Sequence, residues 1–172
     1  DPEVDWDHLA NLTQASLTQA LDELEAMRIA EGALLHRDIE EKLSSIAELL
    51  DGIEKKAPEV VEAYRQRLAD RLRDLIEGTS LTEERFTAEV VLFAERSAID
   101  EEIVRLRSHL KQFTKAMESD EPIGRKLDFL LQEMNREINT IGSKSSSIDI
   151  ASAVVEIKSV LEKIREQIQN VE

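Results

Sequence analysis

The chain has 172 residues, including 37 Asp or Glu and 22 Lys or Arg, and its formal net charge at pH 7 is −15. An acidic surface repels phosphates at long range, so any contact with RNA must use a local basic patch or a part of the protein outside these residues, and DNA is not expected as a partner. The absence of cysteine excludes disulfides, thiolate catalysis and cysteine-ligated zinc, and it is compatible with the cytoplasmic location that we expect.

Composition predicts an all-α fold. Aromatic residues make up 3% of the chain and charged residues 34%, a balance that favours long helices over sheet. The longest apolar run, from Val90 to Ala94, is far shorter than the roughly 20 residues that span a bilayer. No signal peptide is visible, and we expect no membrane partner.

Five helices are predicted, at residues 6–54, 58–77, 81–118, 122–141 and 148–171. Apolar residues recur at alternating steps of four and three from Ile39 to Ile53, and the pattern returns in the last three predicted helices. These narrow seams are of the coiled-coil type and predict long antiparallel helical hairpins that associate into oligomers.

Local signals set the predicted helix boundaries. Pro58 suits the first turn of the second helix, and Gly78 is expected to end it. Residues 80–83 form a capping box that opens the third helix. Residues 119–122 separate the third helix from the fourth, and the polar segment 142–147 precedes the last helix.

The fourth helix carries two polar surfaces beside its predicted apolar stripe. Opposite that stripe lies a charged face with Glu133, Arg136, Glu137, Thr140 and Lys144. Glu133 and Glu137 are four residues apart and carry the same charge, which destabilises a helix unless a cation intervenes. That cation could be Arg136, Lys144 or a divalent metal, so the pair is either a solvated face or a metal site.

Along the border of that stripe lie Asp128, Asn135 and Asn139. Asparagine is a poor helix former because its side chain competes for backbone hydrogen bonds. The two amides therefore either bond a neighbouring helix or contact the bases and ribose hydroxyls of RNA.

The third helix ends in a basic segment. Residues 105–115 contain four bases and no acid: Arg105, Arg107, Lys111 and Lys115. These cations could hold phosphates, or they could be a solvated face stabilised by the helix dipole. The same segment contains His109. A histidine can exchange a proton with a ribose hydroxyl or a leaving oxygen, although a lone histidine is more often a border residue.

Residues 124–145, GRKLDFLLQEMNREINTIGSKS, and residues 157–172, IKSVLEKIREQIQNVE, resemble the C-terminal half of the bacterial YicC-like proteins, as does the motif from Ser108 to Leu110. The resemblance implies an endoribonuclease that cuts RNA with a divalent cation such as Mn²⁺. It also implies a homo-oligomer, described for the family as a ring-like hexamer, and a further N-terminal domain of roughly a hundred residues. We therefore divide the chain into a long-helix hairpin region, 1–118, and a C-terminal hairpin that carries the motif, 119–172.

With this resemblance, the candidate catalytic residues are His109, Glu133, Arg136 and Glu137. Glu133 and Glu137 together form the candidate metal site. The candidate RNA-binding residues are Arg105, Arg107, Lys111, Arg125, Lys126, Asn135, Asn139 and Lys144.

In the resulting hypothesis the basic residues grip phosphates, while His109 or a carboxylate moves a proton or holds the metal. Arg136 or Lys144 stabilises negative charge on the phosphoryl group. The alternative is a non-catalytic oligomerisation and adaptor module that presents RNA to another ribonuclease. The acidic charge and the long seams favour that alternative.

Overall fold

The structure, a computed structural model, describes residues 5–75, 83–119 and 122–169, and all regular secondary structure in them is α-helix. The helices are α1 Trp6–Leu75, α2 Glu83–Ser97, α3 Asp100–Met117, α4 Gly124–Lys144 and α5 Ile148–Ile168. The all-α prediction is confirmed. The expected helix end at Gly78 and the capping residues before Glu83 lie outside the described residues.

Helix α1 runs through the break predicted before Pro58, so the predicted division at 54–58 is wrong. A proline inside a helix removes one hydrogen bond and frees the carbonyl four residues earlier. Here that carbonyl belongs to Glu54. Glu54 and Pro58 are both exposed, so water can reach the carbonyl. Ile53 and Val60 are buried on either side of the proline, so tertiary packing holds the helix together across it.

The predicted third helix is instead two helices, which meet at Ala98 and Ile99. Ile99 is 2% exposed and leaves helical geometry with φ −123° and ψ 6°. Three acidic residues, Asp100, Glu101 and Glu102, occupy the first turn of α3. Acids are favoured at this end by the helix dipole, so the chain begins a new helix after burying the isoleucine.

The chain divides into two compact units between Ile39 and Glu40, and the predicted boundary at 118/119 falls inside the second unit. The first unit contains the N-terminal part of α1. Nine of its large apolar side chains are exposed, namely Trp6, Leu9, Leu12, Leu17, Leu21, Leu24, Met27, Ile29 and Leu34.

In the second unit α4 packs between α3 and α5. Its predicted apolar stripe is buried: Leu127, Leu131, Met134, Ile138 and Ile141 are at most 1% exposed. Opposing apolar stripes of α3 and α5 complete this core, and the ion pairs described below show that α3 and α4 run antiparallel.

The α4–α5 contact is close at Gly142, where an added Cβ would lie 3.1 Å from Cγ1 of Val154. A larger residue at this position would separate the two helices. Helix α1 joins α5 through an ion pair between Lys56 and Asp149.

Within the described residues, no helix combines the length and the apolar character that crossing a membrane requires.

Candidate metal and phosphate site

Charged pairs line the border between α3 and α4. Lys144 Nζ lies 2.7 Å from Glu102 Oε1, and Arg105 Nη1 lies 3.7 Å from Glu137 Oε1. Residue numbers rise along α3 as they fall along α4, which is the register of an antiparallel pair. Positions three and four residues apart lie on the same side of a helix. His109 therefore follows Glu102 and Arg105 on the side of α3 that faces this border.

His109 meets Glu133 and Glu137 from α4. One ligand atom from each of the three residues lies within 4.8 Å of the other two. Glu137 is 4% exposed, whereas His109 and Glu133 are half-buried. The sequence predicted each of these residues as catalytic, and the helix packing brings these three together.

The burial of Glu137 corrects the helical-wheel prediction, which placed it opposite the apolar stripe. An isolated helix buries one stripe, but α4 packs against α3 on one side and α5 on the other. The buried arc of α4 is therefore wider than its apolar stripe, and it includes Leu130 as well as Glu137. Arg136, which was predicted on the same face, has a side chain that is 71% exposed and lies 3.9 Å from Glu133.

The polar atoms of this cluster are incompletely satisfied. Nδ1 of His109 is buried and has no hydrogen-bond partner among the described residues. Glu137 is a buried carboxylate whose one ion pair in the described structure, to Arg105, is long at 3.7 Å. Buried polar groups normally find partners, so the cluster has capacity for a further positively charged group.

Arg105 is a half-exposed guanidinium at the edge of the cluster. Its pKa is raised, chiefly by the charge of Glu101 on the same helix and then by that of Glu137. Glu101 and Glu137 hold the Arg105 side chain beside the cluster, and about half of that side chain is open to solvent. The cluster therefore has a fixed positive charge at its rim that could receive a phosphate.

The donor set suits a divalent metal ion. Two carboxylates offer the oxygen ligands that Mn²⁺ and Mg²⁺ prefer, and an imidazole adds the nitrogen ligand that first-row transition metals accept. Three protein ligands leave coordination positions for water or a phosphate oxygen. An ion is smaller than a water molecule, so a group that water does not reach can still coordinate it. His109, Glu133 and Glu137 fit such an ion by chemistry and proximity.

Arg107 lies elsewhere. Its Nη2 is 2.6 Å from Asp51 Oδ1 and 2.5 Å from Glu54 Oε2, both on α1. Hydrogen bonds to these two carboxylates raise the pKa of Arg107. This predicted RNA contact thus ties α3 to α1, and its partners lie outside the cluster of His109, Glu133 and Glu137.

The other predicted RNA-binding residues divide by exposure. Lys111, Arg125, Lys126 and Asn139 are exposed, and Asn135 is half-buried. Neither amide side chain makes a hydrogen bond within the described parts of the chain, so the expected bond to a neighbouring helix is not seen there.

Sequence reasoning missed Phe129 as a functional candidate. This side chain is 58% exposed, and it lies one helical turn before Glu133. The signal was present in the sequence, because a wheel at 100° per residue puts Phe129 on the face of Glu133 and Arg136, away from the apolar stripe.

The chain is similar to known proteins along its whole length. Residues 53–172 match the family described as "Endoribonuclease YicC-like, C-terminal". A protein of Clostridioides difficile named "Probable endoribonuclease YicC" is 47% identical to this chain over 173 aligned positions, which cover 100% of the chain and 59% of that protein. A Haemophilus influenzae protein of the same name is 38% identical over 170 positions, covering 99% of the chain and 58% of that protein. The chain thus spans less than two thirds of the length of these relatives, and over residues 53–172 it belongs to the YicC-like endoribonuclease family.

Proposed function

We propose that this chain carries the cleavage site of an endoribonuclease, and that His109, Glu133 and Glu137 hold a divalent cation such as Mn²⁺ beside the scissile phosphodiester. The observation that carries the proposal is the approach of three ligand atoms, one from each of these residues on two helices, to within 4.8 Å of one another. The names of the two relatives support RNA as the substrate.

In this proposal each side chain has one task. A bound divalent cation supplies Lewis-acid stabilisation of a phosphoryl oxygen and a more acidic water. The two carboxylates and the imidazole hold that cation, and Arg105 binds a non-bridging phosphate oxygen at the rim. Lys144, which is one-third exposed and held by Glu102, adds positive charge farther along the same border. Without a metal, His109 would instead be the group that moves a proton.

The exposed bases extend this site into an RNA path. Arg125, Lys126 and Arg136 lie on exposed positions of α4, and Lys111 is exposed on α3. These residues would grip phosphates, which position a strand without reading its sequence. The amides of Asn135 and Asn139 are free to hydrogen bond ribose hydroxyls or base edges.

The proposal includes assembly of several copies. The exposed apolar side chains of the first unit, between Trp6 and Leu34, leave a helix surface that self-association would cover. A homo-oligomer is therefore part of the proposal, and the resemblance to the YicC-like proteins adds a ring-like hexamer as its specific form.

A cleavage assay tests the catalytic assignment. Labelled RNA is incubated with the 172-residue chain, and in parallel with the longer protein expected from its relatives, in Mn²⁺, Mg²⁺ or EDTA. Internal cuts should require the metal. The variants His109→Ala and Glu137→Gln should lose at least about 100-fold in rate, as expected when an essential metal ligand is lost. Glu162 is an exposed carboxylate on α5. The variant Glu162→Gln is the matched control and should cut RNA at the wild-type rate.

The alternative function makes a different prediction in the same assay. An adaptor module would bind RNA, leave it intact under every metal condition, and stimulate a separate ribonuclease. Full cutting activity in both His109→Ala and Glu137→Gln would refute the proposed site, even if the protein is a nuclease.

A further inference from the structure

We infer that Phe129 is a stacking platform for a base of single-stranded RNA, next to the cluster of His109, Glu133 and Glu137. The inference deepens the proposed function and rests on RNA being the substrate. Among the described residues of the second unit, Phe129 is the one aromatic side chain that is exposed, at 58%. Apolar side chains of this unit such as Val155 are equally exposed, and single exposed apolar residues are common on protein surfaces. The inference therefore rests on the aromatic character of Phe129 and on its position one helical turn before Glu133.

The other Phe and Tyr rings of this unit are less exposed: Phe86 of α2 is half-buried, and the remaining three have a partner or are buried. Tyr64 of α1 and Phe93 of α2 stack on each other, with centroids 3.8 Å apart and planes at 5°. Phe113 is fully buried in the core. Phe129 is thus distinguished by its environment, and packing within the described structure does not account for it.

The position of the ring fits a nucleotide next to the one that is cut. Phe129 and Glu133 are four residues apart in α4, so their Cβ atoms are about 6 Å apart on one face of the helix. A strand whose phosphate lies at the cluster can place an adjoining base on the ring. Base-on-aromatic stacking accepts every base because each has a π face.

Charges around the ring favour RNA over a protein partner. The helix neighbours of Phe129 at three and four positions before it are Lys126 and Arg125, which form no ion pair within the described residues. Gln132 follows three positions later and hydrogen bonds Asp128 at 2.8 Å. A protein interface needs a contiguous apolar patch and is poor in lysine. A single ring with two cations on one side and the cluster that begins at Glu133 on the other instead matches a base with flanking phosphates.

The test compares two RNA strands of equal length, one with bases and one made of abasic ribose phosphates. Affinities are measured by fluorescence anisotropy in EDTA at low salt, so that no cleavage occurs. Phe129→Ala should bind the base-bearing strand about 5- to 150-fold more weakly than wild type, the range for loss of one stacked base. Both proteins should bind the abasic strand equally, since the phosphate contacts are unchanged.

Three variants make the result specific. Phe129→Trp should keep wild-type affinity because it keeps a π face. Phe129→Leu should behave like Phe129→Ala, because it keeps apolar bulk without an aromatic face. Val155→Ala, which truncates another apolar side chain that is 68% exposed on α5, should leave binding unchanged. Circular dichroism checks that all of the variants are folded.

Several outcomes would overturn the inference. One is binding of the base-bearing strand by Phe129→Ala within about twofold of wild type, a difference of less than 0.5 kcal/mol by the relation between affinity and free energy. Another is wild-type protein that does not bind RNA at low salt. A third is a change in the molar mass measured by light scattering for Phe129→Ala, with no change in its affinity for RNA. That result would mean that the ring contacts a second copy of the chain.

Failure of the nuclease proposal looks different. Wild type would bind the base-bearing strand in the Phe129-dependent way described above, but it would not cut RNA in Mn²⁺ or Mg²⁺. That result supports the stacking platform and moves the chain to the adaptor class.

Discussion

The ion pair between Glu102 and Lys144 offers a quantitative test of the α3–α4 register. The Glu102 side chain is 7% exposed, that of Lys144 is 33% exposed, and their charged atoms are 2.7 Å apart. The second carboxylate oxygen of Glu102 is buried and has no hydrogen-bond partner among the described residues. Lys144→Met would therefore leave a buried carboxylate with no direct partner.

The expected cost lies between two known limits. Removing one member of a buried ion pair costs about 3–5 kcal/mol, whereas exposed pairs contribute about 0.2–1 kcal/mol. Lys144 keeps a third of its surface in water, and the positive charge of Arg105 also acts on Glu102. We expect Lys144→Met to lower the free energy of unfolding by about 2 kcal/mol.

A double-mutant cycle isolates the pair itself. Replacing both residues by methionine removes the buried charge together with its partner, so the double variant should lie within about 1 kcal/mol of wild type. The coupling energy should then be about 1–2 kcal/mol. Urea unfolding followed by circular dichroism measures all four proteins.

The pair of Lys56 and Asp149 provides the control, because its side chains are 44% and 65% exposed. Its coupling energy should stay below about 1 kcal/mol and should fall as salt is added. If the coupling of Glu102 with Lys144 is no larger than that of the control, the reasoning from burial is wrong.

Further predictions concern other contacts. Gly52→Ala should stabilise the protein by up to about 1 kcal/mol through helix propensity, because an added Cβ at Gly52 meets no atom within 4 Å. Gly142→Leu should destabilise it by about 1–3 kcal/mol because the side chain meets Val154 across the α4–α5 contact; denaturant titration of both variants checks this pair. Arg107→Met should cost about 1 kcal/mol and leave RNA affinity unchanged, since its guanidinium contacts Asp51 and Glu54 of α1 and no residue of the cluster; stability measured in low and high salt, with an RNA titration, separates the two roles. Mn²⁺ should raise the melting temperature of wild type and have little effect on that of Glu137→Gln, as ligand binding to the folded state requires.

The sequence by itself determined the fold class and the buried stripe of α4. Steps of three and four among Leu127, Leu131 and Met134 identify a helix face, and all three side chains are buried. This part is predictable because 3.6-residue periodicity is local and apolar residues leave water wherever a partner exists. The same pattern could not reveal that α1 continues through Pro58 or that a helix ends before Ile99, because packing against other helices decides both.

The candidate site shows the same division. Residue type made His109, Glu133 and Glu137 possible ligands or proton carriers, and the resemblance to the YicC-like proteins made them candidate catalytic residues. Their approach to one another depends on the antiparallel register of α3 and α4, which contacts distant in sequence establish. Packing of α4 on both sides also buries Glu137, and α1 occupies Arg107, which the sequence had assigned to RNA. Local periodicity decides which residues a helix presents, whereas tertiary packing decides what each of them meets.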